Sequence, residues 1–197
     1  MTLVELRTPR LLLRPWRPDD PSDVEAAYDI YRRTEVAKWL GTNPTPWPHL
    51  AAAQARLERW AAVARETPGY GLWAVVPDPD APPVGTALLV HLPNADSTLS
   101  HDIEIGWHLH PDVWGRGYAT ESAEALLEHA FTTLDLLRVN AVAYDGNEPS
   151  FAVMRRLGMQ SNGATDRWYA TTMQWWSLDR EQWEQHRRTV DTAGVPE

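Results

Sequence analysis

A chain of 197 residues, 43% apolar and 23% charged, has the make-up of one well-buried globular domain and is short for two. It contains no cysteine, which removes disulfides, thiolate catalysis and cysteine-based metal sites together, and its formal net charge of −9 speaks against nucleic acid as a partner. No apolar run reaches membrane-spanning length and the arginine-interrupted opening offers no signal-peptide core, so no membrane contact and a cytoplasmic location are expected.

Leu11 to Leu13 read as a first strand, bounded by arginine and proline. Asp19, Asp20 and Ser22 offer N-caps for a helix over 23–33, with Val24, Ala27, Tyr28 and Tyr31 as its buried stripe. The prolines between Gly41 and Pro48 make that segment a loop, after which Leu50, Ala53, Leu57, Trp60, Ala61 and Ala64 take helical spacing until Pro68 and Gly69. Strands are expected at 70–76 and 84–92, the second with Gly85 as a bulge. The next strand alternates strictly: Ile103, Ile105, Trp107 and Leu109 point one way, and Asp102, Glu104, Gly106, His108 and His110 the other. Three strands in succession without helices suggest an antiparallel meander.

Pro111 and Asp112 stop that strand, and Ala119, Ala123, Leu126, Leu127, Ala130, Phe131 and Leu134 mark a helix. A strand over 138–144 then runs parallel to the central one, because a helix separates them. Asn147 caps a helix over 149–157 that Gly158 closes, and 166–169 and 171–178 read as the final strands. Residues 1–180 thus form a single domain, with 181–197 a short helix and a frayed tail ending DTAGVPE.

Gly115 and Gly117 fall where a strand becomes a helix, a turn whose converging N–H groups and helix dipole suit phosphate or pyrophosphate. A Walker loop needs Gly-Lys-Ser/Thr where this chain has Gly117, Tyr118 and Ala119. A dinucleotide fingerprint could use both glycines, with Thr120 at its third small position and Asp145 as its acidic residue. That keeps a nicotinamide-dependent oxidoreductase open, although the meander counts against a doubly wound sheet. The third reading is a resemblance. WGRGYATE from Trp114, preceded by EIGWHLHP and followed by NEPSFAVMRRLGM, resembles the acetyl-CoA site of the GNAT superfamily of N-acetyltransferases, and more narrowly its RimJ/RimL-like branch. The branch's opening run is matched by Thr8, Arg10, Leu11, Leu13 and Arg14, and its loop pattern Arg/Gln-x-x-Gly-x-Gly/Ala maps onto Trp114, Gly117 and Ala119, departing at Trp114.

The resemblance covers Leu6 to about Leu178 and implies an α/β (α+β) fold: a central, mixed, twisted sheet of six to seven strands flanked by helices, in the order β-α-α-β-β-β-α-β-α-β-β. It implies acetyl-CoA as cofactor and a primary amine as acceptor, either a protein N-terminus or a small molecule, and a homodimer is a further expectation. The pyrophosphate would lie on the N–H groups of Trp114, Gly115, Arg116, Gly117, Tyr118, Ala119 and Thr120, with the Arg116 side chain either meeting a phosphate oxygen or simply solvated. The pantetheine arm would follow the main chain of Trp107, His108 and Leu109.

Glu104, on the polar face of the central strand, is the candidate general base, directly or through water; the alternative is a carboxylate held by an arginine. Met154 stands where many members have a tyrosine acid, which leaves Ser150 of the Asn147-x-x-Ser150 motif to protonate the thiolate, while both residues also suit helix capping. Trp39 and Trp47 could wall the acceptor pocket or cap a core, and Trp168 and Tyr169 could wall it from the other side. His108 is a second candidate base. Its H-x-H pairing with His110 lacks a third ligand, so no metal is expected. A non-catalytic acyl-CoA-binding regulatory protein stays open as well.

Overall fold

The computed structural model describes residues 4–42 and 44–193, built around an eight-stranded sheet in the order β1-β2-β3-β4-β5-β6-β8-β7. Strands β1 (Leu6–Arg7) and β2 (Leu12–Pro15) form an opening hairpin, followed by helices α1 (Pro21–Tyr31), α2 (Thr34–Ala37) and α3 (Leu50–Glu66). The antiparallel meander is β3 (Gly71–Val76), β4 (Gly85–Pro93) and β5 (Leu99–Leu109). A 3-10 turn (Pro111–Val113) leads into α4 (Tyr118–Glu128), whose end widens into a π turn (His129–Thr133). Then come β6 (Arg138–Ala143), α5 (Glu148–Arg156), β7 (Gln160–Thr165), β8 (Met173–Asp179) and α6 (Arg180–Ala193). Among the described residues, β5 and β6 are the one parallel pair. A doubly wound dinucleotide sheet is thereby ruled out.

The sheet divides two cores, as the alternation along β5 dictates. Ile103, Ile105 and Leu109 join Trp73, Leu126, Leu127 and Phe151 on the α4 side. Across the sheet, Trp16, Ile30, Tyr31, Trp47 and Leu57 form a second cluster under α1 and α3. Asp20 caps α1 by accepting from the Ser22 N–H at 3.0 Å, with Pro21 at the first helical position, so the helix starts two residues earlier than its apolar spacing indicates.

Three further expectations are corrected. The sheet has eight strands rather than six to seven, partly because β1 is only two residues long and carries no periodicity to read. The strand before β8 is Gln160–Thr165 and not 166–169: QSNGAT is a polar, exposed edge strand without an apolar signal, whereas Trp168 and Tyr169 lie in the turn that follows. Gly85 keeps regular register with Val75 and Leu109, and the irregularity falls between His91 and Pro93. What Gly85 provides is close approach, since a Cβ there would sit 2.6 Å from the His108 carbonyl oxygen. At the C-terminal end, α6 docks on the domain through Trp183, whose ring centroid lies 5.1 Å from that of Phe131. The last four residues of the tail, 194–197, lie outside the described residues.

Beneath α1, Arg14 and Asp23 form a bidentate pair with both bonds at 2.7 Å, and Asp23 also accepts from the Arg17 N–H at 2.8 Å. The two side chains are 7% and 1% exposed, so each satisfies a charge the other would otherwise leave stranded. Asp23→Ala should therefore lower the unfolding free energy by about 3–5 kcal/mol, measured by urea denaturation; a loss below about 1 kcal/mol would mean that water reaches Arg14 in the variant.

Candidate active site

Strands β5 and β6 meet at a single register pair, Glu104 with Asn140. Beyond it they part, and a cavity of about 860 Å³ opens between them, within the ~300–1,000 Å³ range of small-molecule sites. One wall is the outgoing half of β5: Glu104, Gly106, Trp107, His108 and Leu109. Facing it are Val142 and Ala143 of β6 and Asn147, Ser150 and Met154 at α5.

The glycine turn closes one end. Gly115 and Gly117 both adopt left-handed φ, +75° and +81°, and Gly117 serves as the N-cap of α4. An L side chain at either position would be strained, and a Cβ on Gly117 would also press on the Arg10 guanidinium at 3.2 Å. Trp114, Gly115, Gly117, Tyr118, Ala119 and Thr120 all line the cavity, so the loop and the helix mouth face it together. Arg10, a wall residue that no local sequence signal places in the site, braces this turn. Its guanidinium donates to the Arg116 carbonyl at 3.0 Å and to Glu121 at 2.6 Å, and it lies over the Tyr118 ring. Thr8 donates to the same Glu121 carboxylate at 2.6 Å. The signal was present as the Thr-x-Arg run, but nothing local says that a hairpin at residue 10 reaches a loop at residue 116.

A glycine turn at a helix mouth, a parted strand pair and a buried carboxylate between them suit a long, anionic ligand. The GNAT acetyltransferase domain model matches residues 10–160 of this sequence. The chain belongs to the GNAT acetyltransferase family. Among curated proteins it is similar to the uncharacterized N-acetyltransferase p20 of Bacillus licheniformis, 28% identical over 158 residues that span 80% of this chain and 83% of that one. It is also similar to the uncharacterized N-acetyltransferase YnaD of Bacillus subtilis, 37% identical over 76 residues; the match spans 39% of this chain and less than half, 45%, of that protein. Among solved structures, Mycobacterium smegmatis RimJ in complex with CoA-disulfide shares the fold, with a TM-score of 0.74, 22% identity and coverage of 98% and 95% of the two chains.

In this GNAT enzyme, burial pushes the Glu104 carboxyl up to about 7, offset by a hydrogen bond that Tyr169 donates to its Oε2. Burial has the opposite effect on His108 and lowers it to about 4. The Tyr31 hydroxyl donates to Thr86 at 2.6 Å, and His108 Nδ1 completes the chain 3.1 Å from the same oxygen. Lowered to about 4, His108 is a neutral imidazole near pH 7, and its tautomer sets the direction of the contact with Tyr31. Four residues along a strand span about 13 Å, so His108 cannot exchange a proton with Glu104 directly.

The remaining sequence-derived candidates divide. Trp39 lines the cavity, together with Lys38 and Leu40. Trp47 stacks on Tyr31 at 4.2 Å within the core under α1, and Trp168 packs edge-on against Trp175 at 5.5 Å; neither lines the cavity. The Arg116 side chain is exposed and off the wall, leaving its carbonyl as the ordered group. Asn147 caps α5 by accepting from the Ser150 N–H at 3.4 Å, so the capping role and a place on the cavity wall coexist. His110 pairs with Asp29 at 3.0 Å, and among the described residues no group of three or more His, Cys, Asp or Glu could hold a metal ion. No helix of the described residues is long and apolar enough to cross a membrane.

Glu104, buried, and His108, partly buried, set opposite pH limits on stability. Glu104 has a folded pKa above its ordinary 4.5, so ionising it costs stability as pH rises from 4.5 through 7; His108 has one below its ordinary 6.5, so stability falls as pH drops from 6.5 towards 4. Each loss is on the order of 3 kcal/mol at its limit. Glu104→Gln, which keeps an acceptor for Tyr169, should match the wild type at pH 4.5 and exceed it by on the order of 1–3 kcal/mol at pH 8 in urea unfolding. Parallel curves across that range would refute the raised carboxyl.

Proposed function

We propose that this enzyme moves the acetyl group of acetyl-CoA directly to a primary amine, with Glu104 as general base and Ser150 as the proton source for the departing thiolate. The observation that carries the reading is the single cavity shared by the glycine turn, the unpaired half of β5 and the buried Glu104 carboxylate. The N–H groups of residues 114–120 are the proposed cradle for the pyrophosphate, and the main chain of Trp107, His108 and Leu109 the proposed strand partner for the pantetheine arm. When bound, acetyl-CoA supplies an acyl group already activated as a thioester. Glu104 removes a proton from the acceptor ammonium, so that its nitrogen lone pair can form the new C–N bond as the C–S bond breaks. Ser150, on the cavity wall, gives a proton to the sulfur and regains one from the newly acylated nitrogen, which must lose its second proton to become an amide.

A protein or peptide N-terminus is the acceptor class we favour. A carboxylate near 7 takes a proton from an α-ammonium of pKa ~8 at a cost of about 1.4 kcal/mol, against about 4.6 kcal/mol from a lysine-like ammonium near 10.4. The Thr8 to Arg14 run, which ties the opening hairpin to the loop, resembles the RimJ/RimL-like branch and supports the same choice.

CoA release should be faster with peptides beginning in Ala or Ser than with an N-blocked peptide carrying lysine, and Glu104→Gln should lower kcat by about 10²–10⁴. Binding of acetyl-CoA with no release by any amine would instead identify a regulatory acyl-CoA-binding protein. Gly117→Ala, strained at φ +81° and crowded by Arg10, should raise the CoA dissociation constant at least about tenfold by calorimetry while Glu104 chemistry persists at saturation.

A further inference from the structure

In the turn between β7 and β8, Tyr169 and Ala170 are successive non-glycine residues with left-handed φ, 59° and 48°, values that a two-residue hairpin turn requires and that Gly, Asn or Asp usually supply. Such a conformation persists only where its surroundings over-determine it. Here they do. The Tyr169 N–H donates to the Pro93 carbonyl at 3.1 Å, and Trp168 bridges Asn94 at the end of β4. Arg167 pairs with Asp102 at 2.8 Å and also covers the Trp168 ring. Trp168 is buried, and its indole N–H has no partner among the described residues, a further cost borne by the same turn. Contacts to β5 and to the end of β4 thus fix Arg167, Trp168 and Tyr169, and they hold the turn in the left-handed shape that Tyr169 and Ala170 resist.

The product of that arrangement is one contact: the Tyr169 hydroxyl donating to Glu104 Oε2. We propose that Tyr169 is a positioning residue for acyl transfer, fixing the Glu104 carboxylate and stabilising its ionised, proton-accepting form. This rests on the reading of Glu104 as base. A phenol suits the task because it donates one hydrogen bond and stays protonated: burial and the neighbouring carboxylate raise its own pKa. A cationic partner would do more than this, holding the carboxylate ionised but too weakly basic to take a proton from an ammonium. A hydrocarbon would do less, leaving it protonated near neutrality.

The groups around Glu104 leave this control to Tyr169. Across β4 its register partner is Val90, and on β6 it is Asn140, which in turn faces Ser177 of β8. Asp102, two residues back on the same strand face, is neutralised by Arg167. Glu35 of α2 and Lys38 just after it line the same cavity with opposite charges. Burial and the Tyr169 bond are what set the Glu104 equilibrium.

The test compares pH–rate profiles of wild type, Tyr169→Phe and Glu104→Gln under saturating acetyl-CoA, with acetyl-CoA affinity measured in parallel. Loss of the donor should move the acidic limb of kcat to higher pH by about one unit, roughly tenfold in rate at pH 6, while affinity stays within about twofold and the high-pH plateau is largely kept. If Glu104→Gln turns over like the wild type, the base assignment fails whatever Tyr169 does. If that variant is inactive and Tyr169→Phe binds acetyl-CoA but keeps the original limb, the positioning role alone is overturned. Should Tyr169→Phe not fold, 3-fluorotyrosine at position 169 decides the matter. Its more acidic phenol is a stronger donor and should move the limb to lower pH, whereas a space-filling role would leave it in place.

Discussion

A sheet whose central pair is pinned at one point and open beyond it determines nearly everything else about this protein. The pin is Asn140. Its side-chain amide donates to the Ile103 carbonyl at 3.2 Å and its oxygen accepts from the Trp175 indole at 3.0 Å, so one buried residue is bonded to β5 on one side and β8 on the other. With both ends of the amide engaged, neither strand can slide without leaving a buried polar group unsatisfied. The ladder nevertheless ends there: β6 runs on to Ala143 and β5 to Leu109, but the two diverge and form no further pair among the described residues. Backbone that would ordinarily satisfy a neighbouring strand is left facing a cavity, which is where an extended, amide-bearing ligand arm finds partners.

The same pin accounts for the electrostatics. Glu104 sits at the register pair itself, at the base of the opening, where packing still excludes water but the cavity has begun. Its carboxyl is consequently near neutrality in pKa without any like charge beside it. His108, further along the same face, is partly buried against Tyr31 of α1 and loses its basicity instead. One strand therefore carries two ionisable groups whose environments push them in opposite directions, and only the first retains a proton affinity useful near pH 7.

How far the sequence disclosed this depended on whether the signal was local. Alternation from Ile103 to Leu109, proline at 111 and glycines at 115 and 117 each act on their own few residues, and the strand, turn and helix follow from them. Asn147 announced its cap for the same reason. The misses are of another kind. QSNGAT forms an edge strand because β8 offers it a partner, and an edge strand in water has no need of an apolar face. Residue type leaves Trp47 open between a pocket wall and a core cap and allows Trp168 as a wall, because the clusters that bury both are assembled from elements distant in sequence. Tyr169 was placed near the acceptor as an aromatic surface, and its hydroxyl bond across 65 positions to Glu104 had no signature in the chain.

Net charge raises a difficulty that the site resolves locally. A protein at −9 repels a polyphosphate at long range, so the field of the whole chain cannot bring such a cofactor in. Screening confines that repulsion to about 8 Å at physiological ionic strength, and inside this distance the composition of the wall decides. There the cations Arg10, Lys38 and Arg156 balance Glu35, Glu104 and Glu121, and Glu104 carries only part of its charge near neutral pH. Arg10 is itself committed to Glu121, which leaves the attraction at the loop to backbone N–H groups and the mouth of α4. Backbone donors keep their places only if the turn keeps its shape. The hairpin at Thr8 and Arg10, by gripping Glu121 and the Arg116 carbonyl, supplies that rigidity at the cavity rim, and under the proposed reading, in which the loop recruits its anion through the main chain, Trp114 can stand where a basic side chain would otherwise be expected.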